Sequence, residues 1–473
     1  MTDKHTKTQL LVLGGGPGGY PAAFLAADLG REVTLVDAKP NPGGICLFEG
    51  CIPSKTLLHV AKLLNETADA SKMGLTFQRP VLDLDQLRSF KNGVVGRLTG
   101  GLGALKSKRK INFVRGHGTI ASPHTLVVQR QEGGRETIEF EQLIIATGSS
   151  PTRLPFIDYT SPHVWDSTAA LELREIPPRL LVIGGGYIGM EMGTVYAALG
   201  AQVTVVESLG SIIAAADPDL VAPVFQAARK RFHDVLVDTK VTEVTPQADG
   251  MHVKLLGLDL AEPTRVFDKI LVSVGRRPNS QGIGLENTAV EVDAQGFIQT
   301  DHQRRTAEPH IFAIGDVAGE PMLAHKASYE GRVAAEVIAG KAAAYDPKCI
   351  PAVVFTDPEL AWVGLTETEA RNRNVPFKIA AFPWSAAGRA TSLDRNDGLT
   401  KMIVDPNDEL ILGIGIVGVG AGELIAAGAL AIEMGCTITD LRMTVHAHPT
   451  LSETVMESAE VYHGHSAHYI PRG

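Results

Sequence analysis

Residues 11–37 read LVLGGGPGGYPAAFLAADLGREVTLVD, and residues 181–207 read LVIGGGYIGMEMGTVYAALGAQVTVVE. At one constant offset of 170 residues, 12 of the 27 positions are identical. Similarity at a single offset implies two copies of one structural unit. Each copy reads as a short apolar strand, a Gly-rich turn, a helix and a second apolar strand ending in an acid. Gly14, Gly16 and Gly19 in the first copy, and Gly184, Gly186 and Gly189 in the second, supply the spacing GxGxxG. The first glycine makes the tight turn, the second lets backbone approach a diphosphate, and the third lets helix pack on strand. The diphosphate then lies at a helix N-terminus, where backbone N–H groups and the helix dipole favour an anion. Asp37 and Glu207 each follow the first glycine by 23 residues, where a carboxylate accepts hydrogen bonds from a ribose. One such turn alone is a weak signal; two in register are a strong one.

Length and composition bound the rest. A chain of 473 residues is expected to form two to four domains. Hydrophobic content of 44% and charge of 21% belong to an ordinary globular enzyme. A net charge of −9 argues against nucleic acid or an anionic membrane as a main partner. Four cysteines are too few for a secreted disulfide framework. The start MTDKHTKTQ lacks the layout of a signal peptide, so a cytoplasmic location is expected. Leu410 to Met434 carries only Glu423 and Glu433 as charges, but Gly413, Gly415, Gly418, Gly420 and Gly422 and the preceding Pro406-Asn407-Asp408 turn predict a hairpin strand followed by a helix, not a membrane span. Cys349 and Cys436 are expected to be inert buried thiols.

Between the two units lies GGICLFEGCIPSK, residues 43–55. Gly43, Gly44 and Gly50 permit unusual backbone, and Pro53 is tolerated only near a helix start. On a regular helix, residues five apart have Cα atoms about 8.7 Å apart. A disulfide needs less than roughly 7 Å, so Cys46 and Cys51 can bridge only across a distorted turn. A helix N-terminus near Cys51 would favour its thiolate. The pair reads as redox-active.

These motifs, together with IIATGS (144–149), VGRRPN (274–279) and IFAIGDV (311–317), resemble the flavoprotein disulfide reductases that use pyridine nucleotides. The resemblance runs from about Leu10 to Glu457. It implies an α/β fold of two Rossmann-like units and a C-terminal α+β interface domain. The expected boundaries are 1–150 (FAD-binding, with the disulfide), 151–275 (NAD-binding), 276–349 (central) and 350–473 (dimerisation). It also implies FAD and a nicotinamide dinucleotide as cofactors, and no metal. FAD would lie against Gly14, Gly16, Gly19, Asp37, Gly44, Lys55, Gly118, Thr147, Gly148, Asp316, Met322, Ala324 and His325. The nicotinamide dinucleotide would lie against Gly184, Gly186, Gly189, Glu207, Gly275 and Arg276. Glu207 would repel a 2′-phosphate and SLGSII (208–213) offers no cation to receive one, so NAD is favoured over NADP.

Within the family, the resemblance is to members that oxidise protein-bound dihydrolipoyl groups with NAD in 2-oxo-acid dehydrogenase complexes. Cys46 would exchange with substrate, and Cys51 would stand nearer the flavin. Lys55 and Glu191 would form a pair beside it, although two solvated charges remain open. HAHPTLSETVMES (446–458) resembles the family's acid–base segment, with His448 as base and Glu453 holding its ring. In the family that histidine comes from the partner subunit, so a homodimer is expected, with a lipoyl-bearing acyltransferase as further partner. A glutathione-type reductase would want basic residues after Glu207, and a mercuric reductase a C-terminal cysteine pair; neither is present. A non-catalytic assembly subunit is disfavoured because all six catalytic candidates are there. Two departures stand out. Phe48-Glu49 lies between the cysteines, where a carboxylate is expected to disfavour thiolate, and Ala427 replaces a common Glu.

Overall fold

The structure is a computed structural model that describes residues 4–470 except Arg79, Leu258, Asp259 and Ala261. Met1 to Asp3, part of the polar start, lie outside the described residues.

Short runs such as LLVL and LLVI form strands because they are apolar on both faces, the pattern of a parallel sheet covered on either side. Leu10, Leu11 and Val12 in the strand Lys4–Leu13, and Leu180, Leu181 and Val182 in Arg179–Ile183, are completely buried. The first strand pairs in parallel with Val33–Asp37, Leu10 opposite Val33. Its copy pairs in parallel with Gln202–Val206, Leu180 opposite Val203. The two registers differ by the same 170 residues as the sequences, so the repeat is structural down to the strand pairing.

Around the first pair a six-stranded sheet forms. It adds Asn112–Ser122, Thr125–Arg130, Arg135–Ile145 and a late strand, Ile311–Ala313, which lies parallel to Arg135–Ile145. Around the second pair a five-stranded parallel sheet forms, with Asp234–Leu236 at one edge and Lys269–Val272 and Val164–Trp165 on the other side. A two-stranded antiparallel ribbon, Ser149–Pro151 with Arg276–Pro278, runs between segments that flank these sheets.

The C-terminal part is a five-stranded antiparallel sheet with helices, of α+β type. Its strand Ile411–Gly418 is followed by the helix Ala421–Met434. The apolar 410–434 stretch is thus a hairpin strand and a helix, and among the described residues no helix is long and apolar enough to cross a membrane. Lys401 in this sheet is buried and bonds Asp217 and Asp219 at 2.9 and 2.8 Å, at the start of the second unit's helix Pro218–Arg231. A buried cation with carboxylate partners fixes how the two parts meet. Cys349 and Cys436 are half-buried, not fully buried as expected; burial pushes the Cys349 thiol up.

Candidate active site

The two Gly-rich turns are held alike. Gly14 N–H donates to Val36 O, and Gly184 N–H to Val206 O, each at 2.8 Å. Asp37 accepts from Gly15 N–H at 2.6 Å and Lys39 N–H at 2.7 Å. Glu207 accepts from Gly185 N–H at 2.7 Å and Leu209 N–H at 2.8 Å. Even the next contact repeats: Gly43 N–H bonds Gly15 O, and Ile213 N–H bonds Gly185 O.

The glycines divide into two kinds. Gly14 and Gly184 have φ of +104° and +105°, and a Cβ there would lie 2.2 and 2.4 Å from a backbone oxygen. The fold itself demands them. At the middle positions the protein makes no such demand: a Cβ on Gly186 meets nothing within 4 Å, and one on Gly16 only Gly44 Cα at 4.0 Å. Glycine at these two points leaves room in front of a helix start, and that room fits a dinucleotide diphosphate. Gly118 is different, since leucine side chains already crowd it from Leu13 and Leu126.

Gly44 packs directly on the first turn, where a Cβ would come within 2.4 Å of Gly16 Cα. The short helix Gly44–Glu49 therefore carries Cys46 beside the phosphate loop. It stops at Gly50, whose backbone (φ −141°, ψ −109°) is not helical, and a new helix, Cys51–Asp69, begins at Cys51. The distortion that the five-residue spacing requires sits at this break.

The Cys46 and Cys51 thiols lie against each other. The Cys51 thiol is drawn down to about 7, chiefly by the hydrogen bond from Cys46. Burial opposes this, the Lys55 ammonium assists, and Glu191 opposes. Cys46, the donor of that bond, is pushed up correspondingly. Glu49 has a partner that its sequence position did not suggest. Its carboxylate is paired with Lys39.

One turn after Cys51, Lys55 Nζ lies 2.8 and 3.0 Å from the two Glu191 oxygens. Glu191 comes from the second unit's helix Tyr187–Leu199, its side chain is 4% exposed, and it also accepts from Phe355 N–H at 3.1 Å. That burial rules out two independent solvated charges. The pair joins helices from both units and a loop from the C-terminal part at one point.

Asp316 accepts from the Ser149 hydroxyl, and Arg276 Nε donates to that same oxygen. Thr147 and Gly148 are bonded to Asn279. Met322 precedes and Ala324 opens the helix Ala324–Ile338, and His325 Nε2 is 2.7 Å from Pro351 O, where burial pushes its ring below the ordinary range. Gly275, in left-handed backbone, precedes Arg276. Two residues here went unnoticed in the sequence. Ser149 was passed over inside its motif. Tyr187 follows Gly186; partial burial pushes its hydroxyl up, and the charges of Arg276, Glu191, Asp316 and Cys51 all bear on it. Its place directly after GxG was the signal that could have found it.

His448 lies elsewhere. Its Nδ1 is 2.8 Å from Glu453 Oε1, and its side chain is 76% exposed. Burial works to raise the Glu453 carboxyl, but the Thr450 N–H and His448 outweigh it and hold the group below its ordinary range. The helix Glu453–Tyr462 packs on the C-terminal sheet, whereas Gly44–Glu49 packs on Cys51–Asp69 and Leu84–Lys108.

Comparison with known proteins agrees with this geometry. Residues 8–331 match the family model described as pyridine nucleotide-disulphide oxidoreductase, and residues 350–459 match its dimerisation domain. The chain belongs to this family. Curated relatives named dihydrolipoyl dehydrogenase include one from Haemophilus influenzae, 48% identical, with 98% of this chain and 96% of that protein covered. Another from Thermus scotoductus is 45% identical, with 98% and 99% covered. Among solved structures, LpdA from Mycobacterium tuberculosis superposes with a TM-score of 0.88 at 26% identity, covering 96% of this chain and 99% of that one. The HOCl-induced flavoprotein disulfide reductase RclA from Escherichia coli, in its Cu(II) complex, gives 0.86 at 27% identity, covering 96% and 99%. This family member thus combines the two α/β nucleotide units with a C-terminal dimerisation domain.

Proposed function

We infer that the chain is an oxidoreductase that oxidises protein-bound dihydrolipoyl groups with NAD. The observation that carries the chemistry is the Cys46–Cys51 pair at a helix start, with the Lys55–Glu191 pair one turn away. The substrate follows the names of the relatives at 44–48% identity over nearly the whole chain.

In the working cycle Cys46 and Cys51 start as a disulfide. His448 takes a proton from one substrate thiol, and the resulting thiolate attacks Cys46 Sγ. The Cys46–Cys51 bond breaks as the substrate–Cys46 disulfide forms, and Cys51 leaves as the thiolate that the Lys55 ammonium favours. The second substrate sulfur then displaces Cys46, releasing a cyclic disulfide. FAD, when bound, carries the electron pair from the cysteines to the nicotinamide. In sum, a dithiol and NAD⁺ give a disulfide, NADH and a proton. Glu453 keeps the His448 ring oriented and stabilises its charged form. Lys55 presents a positive charge whose burial Glu191 offsets.

Gly14, Gly16, Gly19, Asp37, Thr147, Gly148 and Asp316 would hold FAD. Gly184, Gly186, Gly189, Glu207, Gly275 and Arg276 would hold NAD. This reading keeps the four-part division at residues 150, 275 and 349. Because His448 is exposed and set on the dimerisation domain, it is assigned to the active site of a second copy in a homodimer. The further partner is a lipoyl-bearing acyltransferase subunit.

Steady-state turnover of dihydrolipoamide and of glutathione disulfide, each with NAD(H) and NADP(H), tests the assignment. Turnover of dihydrolipoamide with NAD is expected; turnover only of glutathione disulfide with NADPH would refute it.

A further inference from the structure

The motifs assigned to the two nucleotides run into the two strands of one ribbon. Ser149 stands opposite Pro278, and Pro151 opposite Arg276. The seam continues beyond the paired residues. Asn279 N–H donates to Gly148 O at 2.9 Å, the Thr147 hydroxyl donates to Asn279 O at 2.8 Å, and Thr152 N–H donates to Gly275 O at 3.0 Å.

A directed chain of hydrogen bonds crosses this ribbon. Arg276 Nε donates to Ser149 Oγ at 2.7 Å, and Arg276 Nη2 donates to the Ser149 carbonyl at 2.7 Å. The Ser149 hydroxyl has one hydrogen, and it goes to Asp316 Oδ2 at 2.5 Å. Ser149 is 1% exposed, so water does not compete for that hydroxyl. Both ends of the chain are charged, which shortens and strengthens such bonds.

The backbone at Asp316 is pinned separately. Gly315 N–H donates to Glu330 Oε2 at 2.6 Å, and Gly315 O accepts from Lys326 Nζ at 3.3 Å. With the peptide fixed from behind, the aim of the Asp316 carboxylate is left to Ser149. Among the described residues Arg276 Nη1 makes no hydrogen bond, so it can meet an anion while Nε and Nη2 keep their places.

We propose that Ser149 is a positioning residue: it aims the Asp316 carboxylate at FAD and, through Arg276, makes FAD retention depend on NAD occupancy. This rests on the reading above, in which Asp316 holds FAD and Arg276 faces NAD. NAD held beside Arg276 would restrain the guanidinium, which would keep its Nε on Ser149 and the carboxylate in place. Linkage then requires that each nucleotide tightens the other.

The test is FAD release from the holoenzyme, followed as recovered flavin fluorescence with and without NAD. NAD slows release from the unaltered protein. In Ser149→Ala, release is faster by about tenfold or more, since a hydrogen bond to a charged group is lost, and NAD no longer slows it. Arg276→Met likewise abolishes the NAD effect. Unaltered release in Ser149→Ala, or an NAD effect that survives in either variant, overturns the proposal. Asp316→Asn separates the two levels. If it leaves release unchanged, the assignment of Asp316 to FAD fails; if it speeds release while Ser149→Ala does not, only the relay fails.

Discussion

At the scale of single residues, the thiol pair shows how small a set of contacts decides the chemistry. Cys51 titrates near 7 because Cys46 donates to it and Lys55 stands one turn away, against the opposing effects of burial and Glu191. The thiolate fraction therefore rises as pH passes upward through about 7. Replacing Lys55 by Met removes an attraction and leaves Glu191 unpaired, and both changes disfavour the thiolate. The midpoint of iodoacetamide labelling of Cys51 in the reduced protein should move upward by roughly one pH unit or more. A midpoint that stays put would show that Lys55 does not act on the thiol. Glu49→Val is expected to leave the midpoint unmoved, since Lys39 already neutralises that carboxylate. The sequence put Glu49 between the cysteines and so made it look like a neighbour of both. Lys39 lies ten residues back across a loop, and no motif joins the two.

At the scale of elements, the repeat was readable because it obeys local rules. A tight turn, a helix start and a strand-end acid each need particular residues at fixed short spacings, and offset 170 carries all of them twice. The same locality explains what was missed. The ribbon of Ser149–Pro151 with Arg276–Pro278 joins segments 127 residues apart and rests on three residues a side, too short for any periodicity to announce. The glycines also allow a separation that the sequence could not make. Gly184→Ala would place a Cβ 2.4 Å from Ser273 O in left-handed backbone, so the folded protein should lose thermal stability. Gly186→Ala meets no protein atom within 4 Å, so its melting temperature should stay within a degree or two of the parent's. Its KM for NAD should nevertheless rise about tenfold or more, because the methyl group stands where the diphosphate approaches. Equal loss of stability in both variants would mean that the middle glycine serves the fold and not the ligand.

At the scale of the whole molecule, the question is which chain supplies the base to a given cysteine pair. Residues 43–55 contain no histidine, and the structure sets His448 on the dimerisation domain, exposed and oriented by Glu453. Its helix packs on the C-terminal sheet, while the cysteine helix packs on helices of the first unit. An exposed, oriented imidazole is available to a surface that arrives from outside, and under the proposed function a two-fold dimer supplies that surface twice. The consequence can be read by mixing subunits. His448→Ala and Cys46→Ser homodimers should each be nearly inactive with dihydrolipoamide. After reversible dissociation and random reassociation, half of the dimers contain one chain of each kind. In such a dimer the intact cysteine pair faces the intact histidine of the other chain, while the second site has lost both groups. One working site in half of the dimers predicts recovery of about a quarter of the parent's activity. If base and disulfide belonged to the same chain, every site in every mixture would lack one or the other, and no activity would return.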